Sequence, residues 1–144
     1  MKKLFLCLFL ALITTSLSAQ YHCKVLSSTS TTVTFRSTGY GKNSKIASAN
    51  AELNAIKTLL YSGAVRTNYS CPLILERRNE AEERGVIQEL YNSYYNDFIE
   101  SSVIVIPFGK DSQKRRCITL DVSIRAKQLR SWLEEKGVIR KFGL

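Results

Sequence analysis

Lys42 stands where backbone and side chain could act together. It follows Gly39-Tyr40-Gly41 and precedes Asn43-Ser44, so free N–H groups and an ammonium meet where a helix would begin, an arrangement that suits an anion. A full phosphate loop would need Gly-x-x-x-x-Gly-Lys-Ser/Thr, and the segment holds fragments of it. Lys114-Arg115-Arg116, with Arg125, Lys127 and Arg130 further on, reads as a partner-binding basic patch or as a solvated turn and helix surface. Tyr94 and Tyr95, within Tyr91–Phe98, offer flat apolar faces carrying hydroxyls, fit for stacking on a sugar or for packing a helix. His22 is the sole histidine, so a Cys/His metal site lacks ligands and a nucleophile lacks its usual base. Asp97, Glu100, Asp111 and Asp121 follow no spacing that favours a carboxylate pair. The reading is therefore non-enzymatic, without a cofactor or metal, and a hydrolase ranks last.

Those residues need elements to hold them. Thr31–Thr38 alternates, with Val33 and Phe35 on one face and Thr32, Thr34 and Arg36 on the other, which predicts a strand buried on one side. Gly39 and Gly41 bracket the reversal after it, where glycine tolerates positive φ. A helix should follow, capped by Asn43 or Ser44, with Ile46, Ala49, Leu53, Ile56 and Leu60 inward and Gly63 at its C′ position. Cys71–Leu75 reads as a buried connection. Val86, Ile87, Leu90, Tyr91, Tyr94, Tyr95 and Phe98 repeat at helical spacing, predicting a helix from about Asn79 to Phe98, broken near Gly85, with an exposed loop at 76–84 as the alternative. Ser101–Phe108 is a β-branched strand ended by Pro107, and its uniformly apolar run Val103–Ile106 predicts a central place in the sheet. Arg116–Arg125 alternates cleanly and completes a hairpin, and Ala126–Lys136 is an amphipathic helix stopped by Gly137. The expected fold is α+β: a three-stranded, at least partly antiparallel sheet with two to three helices on one face, in the order β-α-α-β-β-α.

The chain begins Met1-Lys2-Lys3 and continues Leu4–Ile13 before the small, polar run through Ala19, the charge and hydropathy pattern of a secretory signal. Cleavage after Ala19 would leave 125 residues, enough for one domain at 31–144 behind a leader or short edge segment at 20–30. No transmembrane helix is expected after cleavage. The balance falls from +9 to +7 with the loss of Lys2 and Lys3. An exported basic protein favours an envelope protein or an anionic envelope surface over nucleic acid. Export also permits a disulfide. The remaining cysteines are Cys23, Cys71 and Cys117, the pairings 23–71, 23–117 and 71–117 are open, and Cys71 with Cys117 is the candidate pair carried forward.

At Val33–Leu60, a strand ending in Gly-x-Gly and a helix with spaced alanines, the sequence resembles the N-terminal domain of flagellar assembly protein T and related small-lipoprotein domains of Gram-negative envelopes. The resemblance implies a periplasmic or surface-located structural role and transfers no functional residue. The leading expectation is an exported, periplasmic or outer-membrane-associated protein that assembles with another envelope component. A ligand-binding module for an anion or glycan, using Lys42 or the tyrosines, is the alternative.

Overall fold

The computed structural model describes residues 23–74 and 80–141. The expected signal at 1–19, the predicted helix start at Asn79 and the tail 142–144 lie outside the described residues. In chain order the elements are β1 (Lys24–Ser28), β2 (Val33–Tyr40), α1 (Ser44–Tyr61), α2 (Glu80–Glu89), a π turn (Leu90–Tyr94), a 3₁₀ turn (Tyr95–Phe98), β3 (Ile99–Lys110), β4 (Arg116–Ile124) and α3 (Ala126–Glu135). The fold is α+β. The sheet has four strands in the order β1-β2-β4-β3, every neighbouring pair antiparallel.

Alternation in β2 and β4 makes the sheet one-faced. Val33, Phe35, Ser37 and Gly39 are buried, and they stand opposite Ile124, Val122, Leu120 and Ile118, buried as well. The residues between them face outward and join in polar cross-strand pairs: Thr34 with Ser123 at 2.8 Å, Arg36 with Asp121 at 2.8 and 2.9 Å, and Thr38 with Thr119 at 2.8 Å. A slip of one residue would exchange the two sets, so core and surface fix the same register.

Helix α1 closes the inner face. Asn43 Oδ1 accepts the Ile46 N–H at 2.9 Å and starts the helix, and Gly63 follows it at φ +73 with its N–H donating to the Thr58 carbonyl at 2.9 Å. The face turned to the sheet differs from the sequence expectation. Ala47, Ala51 and Ala55 are completely buried with Ile56, Leu59 and Leu60, whereas Ile46, Ala49 and Leu53 sit half-buried on the flank. Small side chains at every fourth position let the helix axis come close. Gly39 and Gly41 serve the same approach: a Cβ on Gly39 would lie 2.0 Å from the Ala47 carbonyl oxygen and 2.3 Å from the Ala51 nitrogen. Their role is therefore space, and positive φ among the described glycines belongs to Gly63 and Gly137. Buried Ser37 donates its hydroxyl to the Ala51 carbonyl at 2.7 Å, tying strand to helix. Each large side chain closed off here, such as Phe35, Ile56 or Leu59, contributes roughly 1.5–3 kcal/mol of hydrophobic free energy.

Three further expectations are corrected. The sheet gains a fourth strand, because Lys24–Ser28 pairs with β2 through Arg36. The helix before β3 is unbroken at Gly85, whose missing side chain would meet nothing within 4 Å, and its geometry changes at Leu90 instead. There it widens into the π turn and tightens into the 3₁₀ turn while Leu90 and Phe98 stay buried. Strand β3 is an edge, not the centre. The central strands are β2 and β4, the two that alternate, since α1 covers one of their faces and water the other.

Candidate functional site

β3 is twelve residues long and, among the described residues, paired on one side alone, to β4. Residues 101–107 are all exposed, and Val103, Ile104 and Ile106 keep 60%, 61% and 58% of their surface open to solvent. Helix α1 lies over β2 and β4 and reaches β3 chiefly through Glu52, whose Oε1 accepts from Ser102 Oγ at 2.7 Å. The strand therefore shows apolar side chains on both faces and a row of backbone groups along its outer edge. Such an edge is a template for another strand. Register against β4 shifts between Ile99 and Ser101, between Ile104 and Ile106, and between Ile106 and Gly109. Each shift inserts one extra residue and bends the strand.

The residues singled out from sequence fall into two groups at opposite ends of β3. At the Lys110 end, Lys42, Lys114, Arg115 and Arg116 come together. Arg116 Nη1 donates to the Lys42 carbonyl at 3.0 Å, and the Gly41 N–H donates to the Arg116 carbonyl at 3.2 Å. Arg115 lies 4.4 Å over the Tyr40 ring, donates to the Tyr40 hydroxyl at 3.0 Å and pairs with Asp111 at 2.9 Å. Asp111 organises the turn: its Oδ1 accepts the N–H groups of Gln113 and Arg115, both at 2.9 Å, while Lys114 takes φ +61. Burial pushes the Asp111 carboxyl up, but the Arg115 and Gln113 N–H groups and the Arg115 guanidinium outweigh it and hold it below the usual carboxylate range.

At the Ile99 end lie the tyrosines. Tyr94 packs on Trp132 with ring centroids 5.9 Å apart, Phe98 meets the same indole edge-on at 5.9 Å, and Lys136 lies 5.4 Å over it. Tyr95 is half-buried, and burial, then the Glu52 charge, raise its hydroxyl above the ordinary tyrosine value. These rings dock the 90–98 segment on α3. A cleft of about 400 Å³ between the β1–β2 turn and α3 is lined by Thr31, Thr32, Glu100, Arg125, Lys127, Gln128 and Ser131, a mixed set with no histidine or cysteine.

No protein-family model, curated protein or solved structure matches this chain.

The cysteine pairing is corrected. Cys23, Cys71 and Cys117 are free thiols. Cys71 lies beside Gly63 at the C-terminal end of α1, whereas Cys117 pairs with Tyr40 near its N-terminal end. An 18-residue helix separates them by about 27 Å, and a disulfide spans no more than about 7 Å between Cα atoms. Among the described residues no cluster of three His, Cys, Asp or Glu could hold a metal, and no helix is long and apolar enough to cross a membrane.

Sequence reasoning passed over Val103–Ile106 as a surface because a uniform apolar run reads as a buried strand. The signal that could have found it is Pro107. The strand continues through this proline to Lys110, and a proline inside a strand marks an edge.

Proposed function

We propose that this chain is an exported, non-enzymatic envelope protein that works by docking another envelope component onto the β3 edge. The observation that carries the reading is an edge strand whose outer side is unpaired among the described residues, with Val103, Ile104 and Ile106 exposed. Monomeric proteins blunt such an edge with charge, proline or bulges; β3 bends at three register shifts and carries Pro107, but no charge stands between Glu100 and Lys110 to keep a partner strand off Val103–Ile106. The signal-like N-terminus, the basic balance and the likeness of Val33–Leu60 to envelope assembly domains support the compartment. The test joins location to binding. Fractionated cells should hold the protein in the envelope without residues 1–19, and a tagged chain should retain an envelope partner that Ile104→Lys releases. A cytosolic protein with an intact N-terminus, or a partner indifferent to Ile104→Lys, would overturn the reading.

A second reading is favoured by the gathering of Lys42 and Lys114 at the basic end. An anionic surface would be held there by the two lysines, since Arg115 and Arg116 are engaged in the turn. Binding to anionic vesicles that survives Lys42→Ala with Lys114→Ala would remove it.

A further inference from the structure

Deepening the reading of β3 as the binding edge, on which it rests, we infer that the edge is filled by a second copy of this chain, paired antiparallel through β3 about a two-fold axis at Ile106. The argument starts from which way each side chain points. Ser102 and Ile104 stand opposite Val122 and Leu120 and so lie on the helix side of the sheet. Val103, Ile106 and Gly109 stand opposite Asp121, Thr119 and Cys117 and lie on the open side. Phe108 packs against the core and Lys110 stands opposite Arg116, placing both on the helix side.

The extra residue between Ile104 and Ile106 thus turns two neighbouring isoleucines to opposite faces. An antiparallel partner must match faces pair by pair. An axis at Val105 fails, because it sets Ile104 against Ile106 of the second copy. An axis at Ile106 satisfies every pair. It places Ile106 against its own copy and Val103 against Gly109 of the second copy on the open side. On the helix side it places Ile104 against Phe108 of the second copy and Ser102 against its Lys110. The irregular positions Val105 and Pro107 fall opposite one another. When those two form the non-hydrogen-bonded pair, Pro107 withholds no ladder bond.

Charge agrees with this register. Ser102 holds the Glu52 carboxylate at 2.7 Å, and the ammonium of Lys110 from the second copy arrives beside it. Neither Glu52 nor Lys110 forms an ion pair among the described residues. The edge thus carries both halves of each contact, which is what a two-fold interface requires. The product is a continuous eight-stranded sheet with both copies of α1 on one side.

Sedimentation of the whole chain, recovered from the cell that makes it, tests the inference over a concentration series. The chain should dimerise, and Ile106→Lys, which sets two like charges on the axis at an exposed position, should leave it folded and monomeric. Lys110→Glu alone and Glu52→Lys alone should each weaken self-association about ten-fold, and the two together should restore it. Within one chain those positions stand eight strand residues apart, so the rescue reports contact between copies. A dimer that the double reversal fails to restore overturns the register and with it the inference. A chain monomeric at every concentration also overturns it. If Ile104→Lys still releases an envelope partner from that monomer, the proposed function stands without it, and if no partner depends on Ile104, both fall.

Discussion

The two flanks of the sheet treat their backbone in opposite ways. On the β2 flank, pairing with β1 ends at Arg36, and the carbonyls of Thr38 and Tyr40 would be left over. Asn54 and Asn50, one turn apart on α1, donate to them at 3.1 and 2.7 Å. The helix thereby stands in for the absent strand. On the β3 flank nothing among the described residues takes that part, and α1 reaches no further than Ser102. An edge is closed where the helix overlies it and open where the helix axis veers away. The β2 flank is closed by structure, and the β3 flank is the one to which we propose recognition falls.

Substitutions sharpen that contrast. The largest effect should follow Gly39→Ala, whose new methyl meets the backbone of Ala47 and Ala51 and forces α1 off the sheet. We expect a loss of about 3 kcal/mol in denaturant unfolding, and unchanged stability would deny that close approach holds the closed flank. Asn50→Ala with Asn54→Ala should cost about 0.5–1.5 kcal/mol together by the same measurement, because the freed carbonyls lie near enough to the surface to recruit water. On the open flank, Ile104→Thr with Ile106→Thr should leave stability within about 0.5 kcal/mol while association is lost. A large fall in stability there would mean the strand serves the core.

The smallest effect concerns Asp121. Its hydrogen bond from Arg36 holds the carboxyl below the ordinary value, and the same bond raises the guanidinium further. A carboxyl depressed on folding adds stability above its unfolded value, about 3.9, and that contribution is lost as pH falls through the folded value. An NMR titration of Arg36→Ala should show Asp121 returning upward toward 3.9, with the fold unchanged at neutral pH.

Legibility in the sequence followed the range of the cause. The caps of α1 could be read because Asn43 and Gly63 act within a few residues of where they stand. Alternation in Val33–Gly39 and Ile118–Ile124 could be read because each residue reports its own face. The helix face was misjudged because spacing favours the larger residues Ile46 and Leu53, while the sheet selected the alanines for closeness to Gly39. The basic residues of the candidate site were visible as a composition, but their meeting at one end depends on Arg116 reaching the Lys42 carbonyl across 74 residues. Tyr94 could be noticed, yet its partner Trp132 comes from α3.

By itself the sequence determined most of the strands and helices, β1 excepted, and that the sheet would be dry on one side, since local bonding and period settle both. Tertiary structure alone decided where each strand sits. Apolar side chains state that a segment gains by leaving water, not that the fold has a neighbour to offer it. In this chain α1 spends its inner face on β2 and β4, and Val103–Ile106 is left to find its cover elsewhere.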